Sequence, residues 1–168
     1  MLHLYWGDGK GKTTAAMGLA LRALGHGRRV VILQFLKDGS SGEIEMLRRC
    51  GAAVYACPNA KFTWLMTDAE RAEARRTNTR TLQTILQGSF DLLVLDDLGS
   101  TALNDFTTDK LFEIVDERYR SGKPLIVTTN LNPDEAWKSS IGMRRIFDRL
   151  RERCRHVVVD GESRRRAC

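Results

Sequence analysis

A glycine-rich loop near the amino terminus constrains the fold of this chain more than any other feature of its sequence. The loop reads Gly7-Asp8-Gly9-Lys10-Gly11-Lys12-Thr13-Thr14. It follows a short apolar segment, residues 2–6, and leads into an Ala- and Leu-rich segment, residues 12–24, that is typical of a helix ending at Gly25. A strand, a glycine-rich turn and a helix in this order predict a nest of backbone N–H groups that binds phosphate.

The residue types of the loop suit a nucleoside triphosphate such as ATP, held together with Mg²⁺. Lys12 supplies a formal charge to the phosphates, and the Thr13 hydroxyl can bind Mg²⁺. The usual spacing is G-x-x-x-x-G-K-[ST], but the residue five positions before Gly11 is Trp6, so the first glycine, Gly7, comes one residue late. A glycine-rich turn without a ligand is the alternative, which the combination of strand, glycines, Lys-Thr and helix disfavours.

Apolar strands alternate with helices along the whole chain. Strands are predicted at residues 2–6, 29–35, 53–56, 91–95, 124–128 and 156–159. Helices are predicted at residues 12–24, 42–50, 67–87, 107–121 and 141–153, with a short helix starting at Pro133. This alternation predicts one domain over residues 1–168 with the α/β fold of a P-loop NTPase. Its three layers, α/β/α, would enclose a mostly parallel sheet with ligands at the carboxyl ends of the strands.

The composition excludes several classes of protein. With 168 residues, 42% hydrophobic and 29% charged, the chain is typical of a globular domain. No apolar run approaches the roughly 20 residues that span a bilayer, so we expect no membrane partner. The first six residues lack the basic region of a signal peptide, and we therefore expect a cytoplasmic location.

The cysteines and the basic residues allow weaker predictions. No cysteine belongs to a C-x-x-C pair or has a histidine at metal-ligand spacing, which predicts reduced thiols, some of them in the core. The cysteines are Cys50, Cys57, Cys154 and Cys168. The net charge of +6 is concentrated late in the chain, where a solvated helix face and a frayed tail are favoured over a polyanion site. The residues are Arg144, Arg145, Arg149, Arg151, Arg153, Arg155, Arg164, Arg165 and Arg166.

The first half of the chain, residues 1–95, resembles the ATP:corrinoid adenosyltransferases of the cobalamin-salvage type. The resemblance is carried by residues 7–16, 19–27, 34–37 and 62–64. It implies that the loop holds the triphosphate and Mg²⁺ while cobalt(I) of a reduced corrinoid attacks the ribose 5′-carbon and triphosphate leaves. The implied phosphate and Mg²⁺ contacts are Gly7, Gly9, Lys10, Gly11, Lys12, Thr13 and Thr14.

The same resemblance implies three contacts outside the loop. Arg22 would be a further contact to the nucleotide. Phe62 and Trp64 would pack on the lower face of the corrinoid and keep the axial ligand off cobalt, where apolar rings also exclude water. The alternative for the two aromatic residues is ordinary core packing.

Two carboxylates follow the predicted strand at residues 91–95. Asp96 and Asp97 form a Walker-B arrangement, in which Asp96 can hold Mg²⁺ through water and the next acid can orient a nucleophile. Adenosyltransferases usually carry Asp-Glu at this point, so Asp97 departs from that family.

From this strand onward, residues 92–166 resemble the AAA+ helicase-loader ATPases of the DnaC and transposon-helper type. The resemblance is carried by residues 96–99, 111–119, 123–131, 145–150 and 161–165. It implies that Asn130 is the sensor that positions an attacking water, and that Arg149 reaches the ATP of a neighbouring subunit in a homo-oligomer. The alternative for Arg149 is a surface or helix-pairing arginine.

The chain therefore reads as a chimera whose junction lies in the Walker-B strand. The first half, residues 1–95, favours an enzyme that uses ATP, Mg²⁺ and a corrinoid substrate. The second half, residues 96–168, favours an alternative, an ATP-driven switch that acts on a helicase or on nucleic acid. A third possibility is an ATP-binding protein without turnover.

Overall fold

The computed structural model describes residues 1–35, 39–56, 67–100, 105–138 and 140–161. Phe62 and Trp64, predicted to contact the corrinoid, lie outside these ranges, as do Cys57, Cys168 and the arginines of residues 164–166. Their assignments therefore stay predictions.

Six strands form one sheet that is parallel between all neighbours in the described residues. The strands are β1 (Leu2–Trp6), β2 (Val30–Gln34), β3 (Ala53–Ala56), β4 (Leu92–Asp96), β5 (Leu125–Thr129) and β6 (Arg155–Val158). Their order across the sheet is β3-β2-β4-β5-β1-β6. The prediction of a mostly parallel sheet is confirmed, because short runs of apolar residues bury both faces of each inner strand.

Within the described ranges, five α-helices connect the strands. They are α1 (Lys12–Gly25), α2 (Gly42–Arg49), α3 (Asp68–Gln87), α4 (Asp105–Ser121) and α5 (Ile141–Arg153). Thr67 caps α3: its side chain accepts a hydrogen bond from the backbone N–H of Glu70, and the Glu70 side chain accepts from that of Thr67. No helix within the described ranges is long and apolar enough to cross a membrane.

The prediction of a short helix starting at Pro133 is wrong in both the start and the type of the helix. The structure has a single 3-10 turn at Ala136–Lys138. Asn132 accounts for the delay, because its side-chain and backbone oxygens accept hydrogen bonds from the N–H groups of Asp134 and Glu135. The chain therefore makes a side-chain-capped turn first.

The helices cover the sheet on both faces, which confirms the three layers. Helices α1 and α2 pack on one face, where Ile44 and Met17 contact the inward side chains of the strands. Helices α3, α4 and α5 cover the other face, with Phe147 as its largest fully buried residue. Neighbouring residues of β1 illustrate the alternation, since Leu4 joins one core and Tyr5 the other.

The basic residues of α5 are largely paired within the chain. Three of them have carboxylate partners, and three stack over aromatic rings of α4. The ion pairs are Arg145–Asp109, Arg149–Asp116 and Arg151–Asp134. The ring contacts are Arg145 on Phe112 and both Arg149 and Arg153 on Tyr119. The prediction of a solvated helix face is confirmed, because Arg144, Arg145, Arg151 and Arg153 are exposed. The ion pairs and ring contacts also attach this face to its neighbours, which weakens the case for a polyanion site there.

The two cysteines within the described ranges are both free thiols. Cys50 is exposed, whereas Cys154 is buried and burial raises the pKa of its thiol to about 12. A thiol that stays protonated at neutral pH is a poor nucleophile, so Cys154 serves as a core residue.

Candidate functional site

The glycine-rich loop joins β1 to α1 at the carboxyl edge of the sheet. Gly11 has a φ of 114°, a left-handed backbone that side chains rarely adopt, and it immediately precedes the first residue of α1. Lys12 begins the helix and is only 7% exposed. Its ammonium donates to the carbonyl oxygens of Gly7 and Gly9, the latter at 2.9 Å. The ammonium therefore lies at the centre of the loop.

Opposing influences act on the Lys12 ammonium. Burial lowers the pKa of Lys12, and the nearby Lys10 acts in the same direction. The carboxylates of Asp97, Asp8 and Asp160 oppose this shift, and the net pKa is lowered. A phosphate group beside this ammonium would favour its charged form.

The glycines of the loop also accommodate the chain that follows β6. The backbone N–H of Gly9 donates to the carbonyl oxygen of Val159 at 2.7 Å. A β-carbon on Gly9 would lie 2.5 Å from that oxygen, and one on Gly7 would lie 2.7 Å from it. Neither position has room for a side chain, which gives a packing reason for the unusual glycine spacing of this loop.

A buried carboxylate connects the loop to the neighbouring strands. Asp96, the last residue of β4, is fully buried. One of its oxygens, Oδ1, accepts from the hydroxyls of Thr13 at 2.9 Å and Thr128 at 2.8 Å, and Oδ2 accepts from Nε2 of Gln34 at 3.0 Å. The structure thus brings the two predicted Mg²⁺ ligands, Thr13 and Asp96, into direct contact.

Gln34 and Thr128 contact Asp96, and neither was predicted from the sequence as a site residue. Gln34 ends β2, where it pairs in register with Asp96 of the neighbouring strand. It is fully buried, and its Oε1 has no hydrogen-bond partner among the described residues. Gln34 and Thr128 are both polar residues at the carboxyl end of an apolar strand. Because the carboxyl ends of parallel strands meet at one edge of the sheet, this position in the sequence could have indicated that they lie near the site.

Among the described residues, Asp97 is the one non-glycine residue whose backbone is left-handed, with a φ of 60°. Its N–H donates to the hydroxyl of Thr128 at 2.8 Å, so Thr128 contacts both carboxylate residues. Aspartate tolerates this conformation better than most residues do. The turn therefore gives a physical reason for aspartate where adenosyltransferases usually carry glutamate.

We expect Thr128→Val to destabilise the protein by about 1–3 kcal/mol, because Asp96 loses one donor and the Asp97 N–H loses its acceptor. Urea unfolding would measure the change. Thr84→Val provides a control of the same shape change on the exposed face of α3. Equal midpoints for the two variants would contradict a bridging role for Thr128.

Of the other predicted site residues, Asn130 lies at the sheet edge that carries the loop, whereas Arg22 and Arg149 lie away from it. Asn130 is exposed directly after β5, at the same sheet edge as the loop and Asp96. Arg22 is exposed ten residues after Lys12, about 15 Å along the axis of α1. Arg149 pairs with Asp116 of α4 at 3.0 Å. This contact agrees with the alternative stated above for Arg149, an arginine that pairs two helices. Within this chain, the structure does not bring Arg22 or Arg149 to the loop.

The chain is similar to proteins of two kinds in sequence. It matches the family model described as ATP:corrinoid adenosyltransferase BtuR/CobO/CobP over residues 1–140. The corrinoid adenosyltransferase of Escherichia coli K12 is 31% identical over 122 residues, which cover 70% of this chain and 62% of that protein. This chain thus spans less than two thirds of the length of that relative. The putative insertion sequence ATP-binding protein y4pL of Sinorhizobium fredii is 36% identical over 83 residues, 47% of this chain and 33% of that protein.

Solved structures with the same fold include a helicase loader and a replication initiator. The DnaC helicase loader gives a TM-score of 0.52 at 25% identity and covers 95% of this chain and 77% of its own. AMPPCP-bound DnaA from Aquifex aeolicus gives a TM-score of 0.54 at 22% identity, covering 98% of this chain and 42% of its own, a likeness of fold alone. The fold is therefore that of a P-loop NTPase.

Proposed function

Since the chain belongs to the ATP:corrinoid adenosyltransferase family BtuR/CobO/CobP, we propose that it transfers the adenosyl group of ATP to cobalt(I) of a reduced corrinoid and releases inorganic triphosphate. The observation that carries the proposal is the 2.9 Å hydrogen bond between Thr13 and Asp96. It joins the phosphate loop of the first half to the carboxylate of the second half, so that one site can hold the triphosphate and its metal ion.

In the proposed reaction, the bond from cobalt to the ribose 5′-carbon forms as the bond from that carbon to the triphosphate oxygen breaks. Cobalt(I) supplies the two electrons of the new bond, and the triphosphate leaves with the electron pair of the broken bond. The chain contributes by holding the leaving group. Lys12 and the first N–H groups of α1 supply fixed positive charge where negative charge develops.

The side chains beside the loop fit Mg²⁺. Thr13 and Asp96 offer the oxygen ligands that this ion prefers, and substrate phosphates complete such sites in many ATP-binding proteins. Mg²⁺, when bound, supplies positive charge next to the leaving phosphates. Gln34 and Thr128 would keep the Asp96 carboxylate oriented toward the ion.

Product analysis tests the proposed function directly. The protein would be incubated with ATP, Mg²⁺ and a chemically reduced corrinoid, with a second sample lacking the corrinoid. We expect inorganic triphosphate and an adenosylated corrinoid in the first sample, and neither product in the second. Formation of ADP and phosphate instead would favour an ATPase, and the absence of any product would favour a binding protein without turnover.

A second candidate function is an ATP-driven switch that acts on a helicase or on DNA. It is favoured by the likeness to the DnaC helicase loader and by the placement of Asp97 and Asn130 directly after β4 and β5. In this function the two side chains would orient a water molecule for attack on the γ-phosphate. Arg149 would have to leave Asp116 and reach the ATP of a neighbouring copy.

If the second function holds, the chain self-associates when it binds ATP. Sedimentation with a non-hydrolysable ATP analogue is then expected to show a larger species than sedimentation without it, and Arg149→Ala should abolish the difference. Arg153→Ala is a matched control, because both arginines stack over the Tyr119 ring but Arg149 alone of the two pairs with Asp116. A monomer under both conditions would exclude the role of Arg149 between subunits.

A further inference from the structure

A short segment after β6 lies across the glycine-rich loop. This segment, the strap, consists of Val159 and Asp160. The N–H of Val159 donates to the carbonyl oxygen of Trp6 at 2.8 Å, and its carbonyl oxygen accepts from the N–H of Gly9 at 2.7 Å. The Val159 side chain is half-buried and packs against the core on the α1 side of the sheet. Two hydrogen bonds and this packing hold the strap against the loop.

The N–H of Gly9 belongs to the groups that a phosphate loop uses. Loops of this kind bind anions through consecutive backbone N–H groups. Gly9 is the second of the three glycines between β1 and α1, and its one amide hydrogen is donated to Val159. A phosphate oxygen that accepts from Gly9 therefore takes the place of the Val159 carbonyl. The strap and a phosphate group compete for the same donor.

The charge of the strap acts in the same direction. Asp160 is exposed, and its Oδ1 lies 2.8 Å from where a β-carbon of Gly7 would stand. Burial lowers the pKa of Lys12, and Asp160 is one of the carboxylates that oppose this shift, so its negative charge lies within range of the ammonium. A triphosphate carries several negative charges, which a carboxylate beside the loop repels.

We propose that the strap is an autoinhibitory contact that triphosphate binding displaces from the loop. The inference rests on the proposed function, because it requires the triphosphate of ATP to occupy the loop. When a phosphate oxygen accepts from Gly9, the Val159 carbonyl loses its donor, and repulsion from the phosphates moves the Asp160 carboxylate away. The strap follows β6 at the edge of the sheet, so it can leave the loop while the inner strands stay paired. ATP binding is thereby converted into a movement of an exposed segment.

NMR observes the contact directly. A hydrogen bond between two backbone groups gives a scalar coupling between the donor nitrogen and the acceptor carbonyl carbon. We expect this coupling between Gly9 and Val159 in the unmodified protein, and its loss when ATP or inorganic triphosphate saturates the loop in the presence of Mg²⁺. The 2.9 Å hydrogen bond from the N–H of Leu125 to the carbonyl of Met1, at the opposite edge of the sheet, is the control and should keep its coupling.

Loosening the strap tests the competition through affinity. Val159→Pro removes the N–H that donates to Trp6. We expect it to strengthen binding of ATP and of inorganic triphosphate by about threefold to tenfold in calorimetric titrations, since the strap is released in a larger fraction of the molecules.

Val158→Pro is the matched control for this variant. Successive N–H groups of a strand point to opposite sides, so the N–H of Val158 points away from β1 on this edge strand. Proline is tolerated at such positions. The ATP affinity of Val158→Pro should stay within about twofold of that of the unmodified protein.

The results separate this proposal from the proposed function. A coupling between Gly9 and Val159 that persists with bound ATP, or that is missing without a ligand, would overturn the strap and leave the proposed function intact. Equal affinities of the two proline variants, or weaker binding in Val159→Pro alone, would show that the strap does not compete with the triphosphate. ATP binding in Val159→Pro but not in the unmodified protein would support the proposal as complete inhibition. No ATP binding in any of the three proteins would remove both proposals.

Discussion

Lys12→Ala is expected to weaken ATP binding by at least about a hundredfold, to a level that ordinary titration does not detect. The Lys12 ammonium lies at the centre of the loop, where it donates to the backbone carbonyls of Gly7 and Gly9. Triphosphate binding would add ion pairs between the ammonium and phosphate oxygens, which carry the negative charge that the carbonyl oxygens lack. Alanine removes the charge and leaves the carbonyl oxygens facing the ligand.

Calorimetric titration with ATP and Mg²⁺ measures this effect. Lys10→Ala provides the comparison, because Lys10 belongs to the same loop but is exposed to solvent. We expect it to cause a smaller loss, since solvent screens an exposed charge. An affinity of Lys12→Ala within about threefold of the unmodified protein would show that the loop does not bind the triphosphate through this ammonium.

Asp96→Asn is expected to remove the effect of Mg²⁺ on ATP binding and to slow turnover by about 10- to 100-fold or more. The side-chain amide would replace one acceptor oxygen with a donor. The three groups around this position, the hydroxyls of Thr13 and Thr128 and the amide of Gln34, all donate to the carboxylate now. Gln34, whose Oε1 has no partner among the described residues, can turn to accept from the new amide nitrogen, so the main loss is the negative charge beside the metal.

The diagnostic measurement is ATP affinity with Mg²⁺ and with a chelator. In the unmodified protein we expect Mg²⁺ to strengthen binding, and in Asp96→Asn we expect the two affinities to coincide. Asp148→Asn, on the exposed surface of α5, should behave like the unmodified protein. Persistent strengthening by Mg²⁺ in Asp96→Asn would place the ion elsewhere.

The order of the strands and helices could be predicted because the local signals are strong. Buried parallel strands appear as short apolar runs, and residues 92–95 and 125–127 are clear examples. Helix boundaries were less predictable, because they depend on side-chain caps. Asn132, whose side chain accepts from the N–H of Asp134, delays the turn after β5.

The site could be predicted only where its chemistry is local in the sequence. The loop and the two carboxylates belong to short motifs, whereas Gln34 and Thr128 contact Asp96 across 62 and 32 residues. The same limit applies to Val159, whose carbonyl reaches Gly9 from the far end of the chain. Contacts of this kind depend on the order of strands in the sheet, which apolar periodicity does not reveal.

The strand order also has a consequence for the two halves of the chain. Of the strands from residues 1–95, β1 lies between β5 and β6, both of which come from the second half, and β4 joins β2 to β5. A cut between the halves would leave β1 without either of its neighbours and would open backbone edges that favour association with other chains. Strands from the two halves therefore alternate in the sheet, and we expect neither half to fold stably on its own. The phosphate loop and the Asp96 carboxylate would share one metal ion. Each therefore depends on the other half of the chain for its structure even without a ligand.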